Sequence, residues 1–524
     1  MCLLQRGGNH LPQTTVKDAL PKANARRRRL PSLSVIIWIA LFLGLTLSSA
    51  RIVLISADSD AAWHRRFGDW MIEHHAIVRS DDFLHTQHGT IITRDWLSEV
   101  IYAAAARAFG WSGFALVAAA LIATIFWLLH HQLLAEGCDV ILATALVLAA
   151  MLACSVQWLA RAFLFTHLLT LVFAWQLRWF QQGRIPTWRI FLLLPLMILW
   201  VNLHGAFVIG LMLLAMYASG SAIDALRRTS SWTQPMILGA LLLLGAAASL
   251  VNPNGWRLHA QIFNFLQSHE LAGITTGFAS PNFHTVGPEG FSLLLFLLAV
   301  VLLVVRPRLT TTEVLLVGGW GYFALLSARN IPIFALVVTP LLGQWITGFL
   351  KANQLAWWSR LYYQRVDRIP PTDPVANAVM VVAVIVCLTL VLAKPTIAGG
   401  PPLLVTDFPP DRYPTDVVGY LRNHPTAIRD EMFNHLDWGG YLEYAWPEQK
   451  PFIDSRFVFY GVDFTREFLT VNRANAGWEL VFAKYHVGWT LLPPQHPLNQ
   501  ILRLDPGWQF VFSNYQAVVY SRRS

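Results

Sequence analysis

The amino-acid sequence predicts a polytopic α-helical membrane protein with a small α/β domain at its C-terminal end. Of the 524 residues, 55% are hydrophobic and only 13% are charged, whereas charged residues make up about a quarter of an ordinary soluble domain. The apolar residues also fall in nearly uncharged runs of roughly 17 to 24 residues, the length at which a helix crosses a hydrocarbon core about 30 Å thick. These two observations exclude an ordinary soluble enzyme.

The apolar runs predict eleven membrane spans. They are expected at 32–55, 113–134, 139–156, 163–180, 188–203, 204–222, 234–251, 290–305, 312–328, 331–349 and 375–393. The first run follows four arginines at 26–29 and is longer than the apolar core of a cleaved signal peptide. We therefore expect it to be retained as the first span.

The basic residues between the spans predict the orientation. Every strongly basic short loop falls on the same side as the basic tail at 1–31, and lysine and arginine are in excess in cytoplasmic loops. We therefore attribute the net charge of +9 to topology and not to a nucleic-acid partner. A membrane domain is expected at 32–393 in the inner membrane, with loops 57–111 and 252–289 and a domain at 394–524 on the outer, periplasmic side.

The sequence after residue 393 has the composition of a soluble domain. Five short apolar runs alternate with helix-like stretches at 413–421 and 476–485. The runs lie at 431–433, 451–453, 487–492, 508–512 and 517–520. Alternation of short strands with helices is typical of an α/β domain.

Asp58 and Asp60, at the outer end of the first span, are the first candidates for chemistry. Acids are costly at a membrane boundary, and a half-shielded carboxylate there accepts a proton from a hydroxyl group or holds a divalent cation. Alternatively, both acids stabilise the N-terminus of the next, amphipathic helix. That helix carries His64, the one histidine of this loop that we retain as a candidate binding residue; no zinc-ligand spacing surrounds it.

Arg161, Arg257 and Arg329 come from three separate turns on the predicted outer side. Arginine binds phosphate in a bidentate manner, so a converging set would suit a lipid-phosphate leaving group. Snorkelling toward lipid head groups is the alternative for any one of them. Three arginines on the side opposite to the basic loops favour phosphate binding.

Two further polar groups of residues are candidate binding sites. Asn202 and His204 lie where two spans meet, either satisfying freed backbone groups or reaching into a cavity. In the C-terminal domain, Asp437 and Trp438 precede two glycines, and Asp454 and Arg456 follow a presumed strand. Such edges of α/β sheets commonly carry sites, although a buried Asp–Arg pair beside a glycine turn would serve structure equally well.

Together these segments resemble the GT-C class of integral-membrane glycosyltransferases, and in particular a bacterial group of GT-C-like membrane proteins. The resemblance extends over most of the chain and depends on short motifs. They are D-S-D-A-A-W-H at 58–64, N-L-H-G at 202–205, N-P-N-G at 252–255, S-P-N-F at 280–283, S-A-R-N at 327–330, G-G-Y-L at 439–442 and F-I-D-S-R at 452–456.

The resemblance implies that a sugar is transferred from a polyprenyl-phosphate donor at the outer face. It implies Asp58 as the catalytic base and Asp60 as its neighbour for metal or acceptor binding. The cofactor stays open, with Mg²⁺ or Mn²⁺ at Asp58 and Asp60 as the candidate. GT-C enzymes often carry a further acid in a later outer loop, where this chain offers only Glu270 and Glu289, neither in a family motif.

The sequence therefore predicts an inverting glycosyltransferase of the bacterial cell envelope. Its expected partners are membrane lipid, a polyprenyl-phosphate sugar donor and a glycan, lipid or protein acceptor, with no nucleic acid. The first alternative is a non-catalytic GT-C-like protein that binds lipid-linked glycans during envelope assembly. The second is a transporter, which would require ionisable residues deep within the spans, and the spans contain few.

Overall fold

The computed structural model of the chain describes residues 32–48, 50–57, 59–87, 89–267, 278–353, 377–382, 384 and 408–523. Within these residues, apolar helices form a bundle, and an α/β domain packs against one end of it. The predicted tail at 1–31 lies outside the described residues, and so do Asp58 and Glu270.

Fifteen helices form the described membrane part and its loops. They are α1 (Leu33–Leu47), α2 (Ala50–Ser56), α3 (Asp60–His74), α4 (Trp96–Phe109), α5 (Trp111–Ala135), α6 (Val140–Cys154), α7 (Phe163–Gln181), α8 (Thr187–Ile190), α9 (Leu193–Leu203), α10 (Val208–Leu226), α11 (Thr233–Ala248), α12 (Trp256–Gln267), α13 (Val286–Val300), α14 (Thr311–Leu326) and α15 (Ile331–Ala352). Short turns of 3₁₀ helix precede α10 and α15, at Gly205–Phe207 and Ala328–Asn330, and a π-helical turn at Val301–Val305 extends α13.

The apolar helices show that the chain is a multi-pass membrane protein. Six are long and apolar enough to cross a membrane: Trp111–Ala135, Val140–Gln157, Phe163–Gln181, Gly205–Leu226, Val286–Val305 and Ala328–Ala352. Four shorter apolar helices occupy further predicted spans: Leu33–Leu47, Thr187–Leu203, Thr233–Ala248 and Thr311–Leu326. The eleventh predicted span, 375–393, lies largely outside the described residues, so the count of eleven stays a prediction.

Helix α5 lies at the centre of the bundle, where it packs against α1, α4 and α7. Its buried residues include Phe114, Ala118, Ile122, Phe126 and Leu129, which recur every three to four positions and so form one stripe along the helix. Close packing of this stripe against the neighbouring helices fixes the packing partners of α5.

The first loop is built around the pair of helices α3 and α4. Gly68 of α3 faces the backbone of Glu99 in α4, where a Cβ atom would collide with the carbonyl oxygen, so the absence of a side chain allows the two helices to approach closely. Helix α4 in turn packs against α5. The loop is therefore a fixed part of the bundle.

The C-terminal domain contains a four-stranded sheet and five helices. The helices are α16 (Thr415–Asn423), α17 (Gly439–Ala445), α18 (Phe457–Asn472), α19 (Trp478–Lys484) and α20 (Pro497–Leu504), and the strands are β1 (Glu431–Asn434), β2 (Val487–Leu492), β3 (Trp508–Ser513) and β4 (Val518–Arg522). The strand order is β1-β2-β4-β3. Strands β1 and β2 are parallel, and β4 runs antiparallel to both β2 and β3.

Four of the five apolar runs predicted in this domain form strands, and the run at 451–453 does not. The side chain of Asn434, at the end of β1, accepts hydrogen bonds from the backbone N–H groups of Phe452 (2.7 Å) and Ile453 (3.3 Å). It also donates to the Ile453 carbonyl at 2.9 Å. The backbone N–H and C=O groups of this run therefore form hydrogen bonds with a side chain instead of with a neighbouring strand.

Candidate functional site

The segment that leads into α3 carries the predicted acids. Helix α2 ends at Ser56, and Ser59 precedes α3 and is 1% exposed. Asp60 is the first residue of α3. Because Asp58 lies outside the described residues, its role as a base stays a prediction.

Asp60 forms an ion pair with Arg161, with 2.9 Å between the Asp60 Oδ2 and Arg161 Nη1 atoms. Its other oxygen accepts a hydrogen bond from the Ser455 hydroxyl of the C-terminal domain. Burial by itself would raise the pKa of Asp60, but the Arg161 guanidinium, the Ser455 hydrogen bond and His64 together hold it below its ordinary value of 3.8. Asp60 is therefore ionised at neutral pH and a weak proton acceptor.

Two more arginines lie near this ion pair. The charges of Arg94, Arg161, Asp60 and Asp95 all act on Arg329, whose guanidinium lies 4.1 Å from the centre of the Phe278 ring. We call Asp60, Arg94, Asp95, Arg161 and Arg329 the charge cluster. Arg329 forms no ion pair with a carboxylate of the described residues, whereas Arg94 and Arg161 are each paired with one, so its guanidinium is the cation of the cluster without a direct counter-ion.

Arg94 and Asp95 were not singled out by the sequence reasoning. The Arg94 Nε atom lies 3.2 Å from Asp95 Oδ2, and the Gly205 N–H donates to Asp95 Oδ1 at 2.9 Å. Burial would raise the pKa of Asp95, but Arg94 and His204 lower it below its ordinary value. The signal available in the sequence was an Arg-Asp pair directly before the amphipathic helix α4.

His64 lies behind the cluster and not in it. Its Nδ1 atom is 3.3 Å from Glu99 Oε1, and both side chains are buried. Burial raises the pKa of Glu99, an effect that the hydrogen bond to His64 offsets only in part. The structure thus places His64 against Glu99 in the interior, while its role as a binding residue stays a prediction.

Asn202 and His204 hold the hinge between α9 and α10. The Trp96 indole N–H donates to Asn202 Oδ1 at 2.8 Å, and the Asn202 amide donates to the carbonyls of Ile198 and Val251 at 2.7 and 2.8 Å. His204 Nδ1 lies 2.8 Å from the Thr166 hydroxyl. These contacts satisfy groups that the break between the helices leaves free, and both N–H groups of Asn202 are used by them.

Arg257 lies apart from the charge cluster. It is exposed near the beginning of α12, and no described residue forms an ion pair with it. The turn before it is held by a hydrogen bond from the Asn254 amide to the Thr93 carbonyl at 2.8 Å. Of the three predicted arginines, the structure thus brings Arg161 and Arg329 together and leaves Arg257 outside.

Asp454 and Arg456 belong to a buried ion cluster that joins the C-terminal domain to the first loop. The Arg456 guanidinium contacts Asp454, lies 2.7 Å from Glu443 Oε1 and lies 3.9 Å from Asp81 Oδ2 of the first loop. The Tyr460 hydroxyl donates to Asp454. Burial raises the pKa of Glu443 well above its ordinary 4.5, because Arg456 offsets only part of the cost and Asp454 adds repulsion.

Asp437 and Trp438 take no part in the charge cluster. Asp437 is exposed, while Trp438 is buried and its indole N–H donates to the Arg412 carbonyl at 3.2 Å. The glycines that follow them do approach the first loop, because a Cβ atom on Gly440 would lie 2.6 Å from the Ser59 carbonyl oxygen.

The described residues do not fit a metal site at Asp60. Its two oxygens contact Arg161 and Ser455, and both partners are hydrogen-bond donors that would compete with a cation. Among the described residues, no three His, Cys, Asp or Glu side chains form a group that could hold a metal ion. Glu289 is exposed in the first turn of α13. A divalent cation stays a prediction that depends on Asp58.

No family model matches the sequence, and no curated protein is similar to it. Solved structures do share the fold. The archaeal oligosaccharyltransferase AglB from Archaeoglobus fulgidus, in complex with an inhibitory peptide and a dolichol-phosphate, aligns with a TM-score of 0.52 at 12% identity over 94% of this chain and 74% of that one. The same enzyme tethered to an acceptor peptide with the NVT sequon aligns at 0.53 and 14% identity, with the same coverage.

ArnT from Cupriavidus metallidurans bound to undecaprenyl phosphate aligns at a TM-score of 0.44 and 14% identity, over 93% of this chain and 96% of that one, too low a score to support an inference. At such identities the likeness to the oligosaccharyltransferase establishes the fold and nothing finer. The chain has a GT-C-like fold, as its motifs predict.

Proposed function

We propose that this chain is a membrane glycosyltransferase that moves a sugar from a polyprenyl-phosphate donor to an acceptor at the outer face of the bacterial inner membrane. One observation carries the proposal: the Asp60–Arg161 ion pair, with Arg94 and Arg329 within electrostatic reach, lies where the bundle meets the first loop. The GT-C-like fold supports it, since the oligosaccharyltransferase of the same fold was solved with a dolichol-phosphate.

The contacts of Asp60 lead us to propose separate roles for the two acids. Asp60 is held ionised by Arg161 and Ser455, so its role is to fix the Arg161 guanidinium as a counter-ion. Asp58 then acts as the general base that removes the proton from the acceptor hydroxyl. The acceptor oxygen attacks the anomeric carbon from the face opposite the phosphate, the bond from that carbon to the phosphate oxygen breaks, and the configuration inverts.

The arginines stabilise the leaving phosphate. As the bond to the sugar breaks, negative charge develops on the lipid phosphate, and guanidinium groups already in place lower the energy of that charge. The sequence predicted Arg161, Arg257 and Arg329 as the three phosphate-binding arginines. In this proposal Arg94 takes the place of Arg257. The acceptor, a glycan, lipid or protein, would approach from the side of the first loop and the C-terminal domain.

The test is sugar transfer by purified protein in liposomes, with a panel of labelled polyprenyl-phosphate hexoses and pentoses. We expect transfer by the wild type and a loss of about 10³-fold or more in Asp58→Asn, because general-base catalysis and charge placement are both lost. Asp463→Asn is the matched control, since Asp463 is 98% exposed on α18, and it should keep wild-type turnover.

Two results would contradict the proposal. Wild-type turnover in Asp58→Asn would show that Asp58 is not the catalytic base. Donor binding without any transfer by the wild type would favour the non-catalytic alternative. Donor-driven movement of the lipid-linked sugar across the bilayer, without transfer, would favour the transporter.

A further inference from the structure

The C-terminal domain contacts Ser56, Ser59 and Asp60, three described residues around the start of α3. The Tyr413 hydroxyl donates to the Ser56 carbonyl at 3.2 Å, Gly440 lies against the Ser59 carbonyl, and the Ser455 hydroxyl donates to Asp60. These contacts come from three places in the domain, before α16, in α17 and before α18. They flank the position of Asp58 in the sequence.

Ser455 lies in a loop whose conformation is fixed on both of its sides. Before it, the backbone of 452–453 is bound by the Asn434 side chain, and the Asp454 carboxylate accepts from the Arg456 backbone N–H at 2.7 Å. After it, the Arg456 side chain is 1% exposed and paired with Glu443. A loop held in this way has little freedom, so the Ser455 hydroxyl is presented at a set position.

Residues of the first loop also contact Arg456, the residue that follows Ser455. The Arg456 guanidinium lies 4.6 Å from the centre of the Phe67 ring of α3, and Asp81 contributes a carboxylate from the same loop. Cation–π contact with a buried ring adds to the ion pairs. The loop that carries Ser455 is therefore held against α3, the helix that carries Asp60.

We propose that Ser455 is a positioning residue that orients the Asp60 carboxylate toward Arg161, so that the C-terminal domain is an integral part of the transfer site. This inference rests on the proposed function. With Oδ1 engaged by Ser455, Oδ2 faces Arg161, and the guanidinium is held where charge develops on the leaving phosphate. Without the hydroxyl, the Asp60 carboxylate loses one of the donors that set its orientation toward Arg161.

Steady-state kinetics on the full-length protein test this role. Ser455→Ala should lower kcat about ten-fold or more, the scale of a hydrogen bond to a charged group, with KM for the donor changed less than about two-fold. Ser455→Thr keeps the hydroxyl and should restore kcat to within about three-fold of the wild type. Ser513→Ala, at an exposed serine on the edge strand β3, should leave both constants unchanged.

Each outcome decides the inference. Equal losses in Ser455→Ala and Ser455→Thr would show a packing role and overturn it, and so would wild-type kcat in Ser455→Ala. If the wild type transfers no sugar at all, the proposed function fails separately. The contact is then tested by a double-mutant cycle on the thermal midpoint with Asp60→Asn, where additive effects would overturn it and a clear departure from additivity would support it.

Discussion

Asp60 shows how a single side chain near a membrane boundary acquires its charge state. Burial raises the free energy of the ionised carboxylate, yet one guanidinium and one hydroxyl more than offset it, and the pKa falls below 3.8. Its charge is therefore retained through the physiological pH range, and its oxygens are both occupied. A carboxylate of this kind is better suited to holding a cationic side chain than to accepting a proton.

Arg94 and Arg257 provide a comparison between an arginine inside the charge cluster and one outside it. Arg94 neighbours Asp95 and acts on Arg329, whereas Arg257 is exposed on α12. We expect Arg94→Ala to lower kcat/KM for transfer about 10²-fold, the usual effect of removing one preorganised charge donor. Arg257→Ala should lower it less than about three-fold, as measured from initial rates in the same liposomes.

A loss in Arg257→Ala as large as that in Arg94→Ala would contradict this division. It would mean that α12 moves toward the cluster when the donor binds. The amount of folded protein in each variant, from its thermal midpoint, separates a rate effect from a loss of structure.

At the scale of elements, the contact between α17 and α3 determines how the C-terminal domain meets the bundle. Gly440 of α17 lies next to the Ser59 carbonyl and the Trp63 ring at the beginning of α3. Because glycine has no side chain, the two helices can approach closely at this point. The same two elements are joined by Arg65 of α3, whose guanidinium lies 4.6 Å from the Trp111 ring and 4.7 Å from the Tyr444 ring. A change in this spacing would displace the segment that carries the acids.

Gly440→Ala should therefore destabilise the protein. The added Cβ atom would lie 2.6 Å from a backbone oxygen and 3.0 Å from Trp63 Cδ1, and overpacking of this kind costs about 1–3 kcal/mol. Gly419→Ala on α16 is the control, because nothing lies within 4 Å of its Cβ position and alanine favours a helix by about 0.5–1 kcal/mol. Thermal unfolding in detergent should show a lower midpoint for the first variant and an equal or higher one for the second.

An unchanged midpoint in Gly440→Ala would show that α17 can shift away from α3 without loss. Transfer activity in that variant would then indicate whether the spacing matters to the site.

At the scale of the whole molecule, one buried cluster of charges joins two parts of the chain that are far apart in sequence. Arg456 is surrounded by Asp81 from the first loop and by Glu443 and Asp454 from the C-terminal domain. One guanidinium faces three buried carboxylates, so we expect at least one of them to bind a proton in the folded state. The pKa shifts identify Glu443 as the group that is raised well above its ordinary value.

This proton makes stability depend on pH in a defined direction. Above pH 4.5 the unfolded chain releases it while the folded protein keeps it, so the folded state binds more protons and its stability falls as pH rises toward the folded pKa. Glu443→Gln keeps a neutral group at every pH. Its thermal midpoint should therefore fall less than that of the wild type as the pH rises above 4.5.

Glu479→Gln, at an exposed residue of α19, should retain the wild-type pH dependence. A steeper fall in Glu443→Gln than in the wild type would contradict the assignment of the proton to Glu443.

The sequence by itself determined that the chain is a multi-pass membrane protein, because membrane helices depend on local hydrophobicity. Ten predicted spans coincide with apolar helices of the described residues, and the short motifs identified the GT-C-like fold. Arg161 and Arg329 could be singled out because a charged residue in a short turn between two apolar helices has few structural uses, but the same reasoning also singled out Arg257.

Only the tertiary structure decided which polar residues meet. The contact between Ser455 and Asp60 joins positions almost four hundred residues apart, and serine carries no local signal for such a role. The sequence pointed to Arg257 and not to Arg94, but the packing of the helices places Arg94 within the cluster and leaves Arg257 outside it. The interaction energy of two charges depends on their distance in space, and helix packing sets that distance.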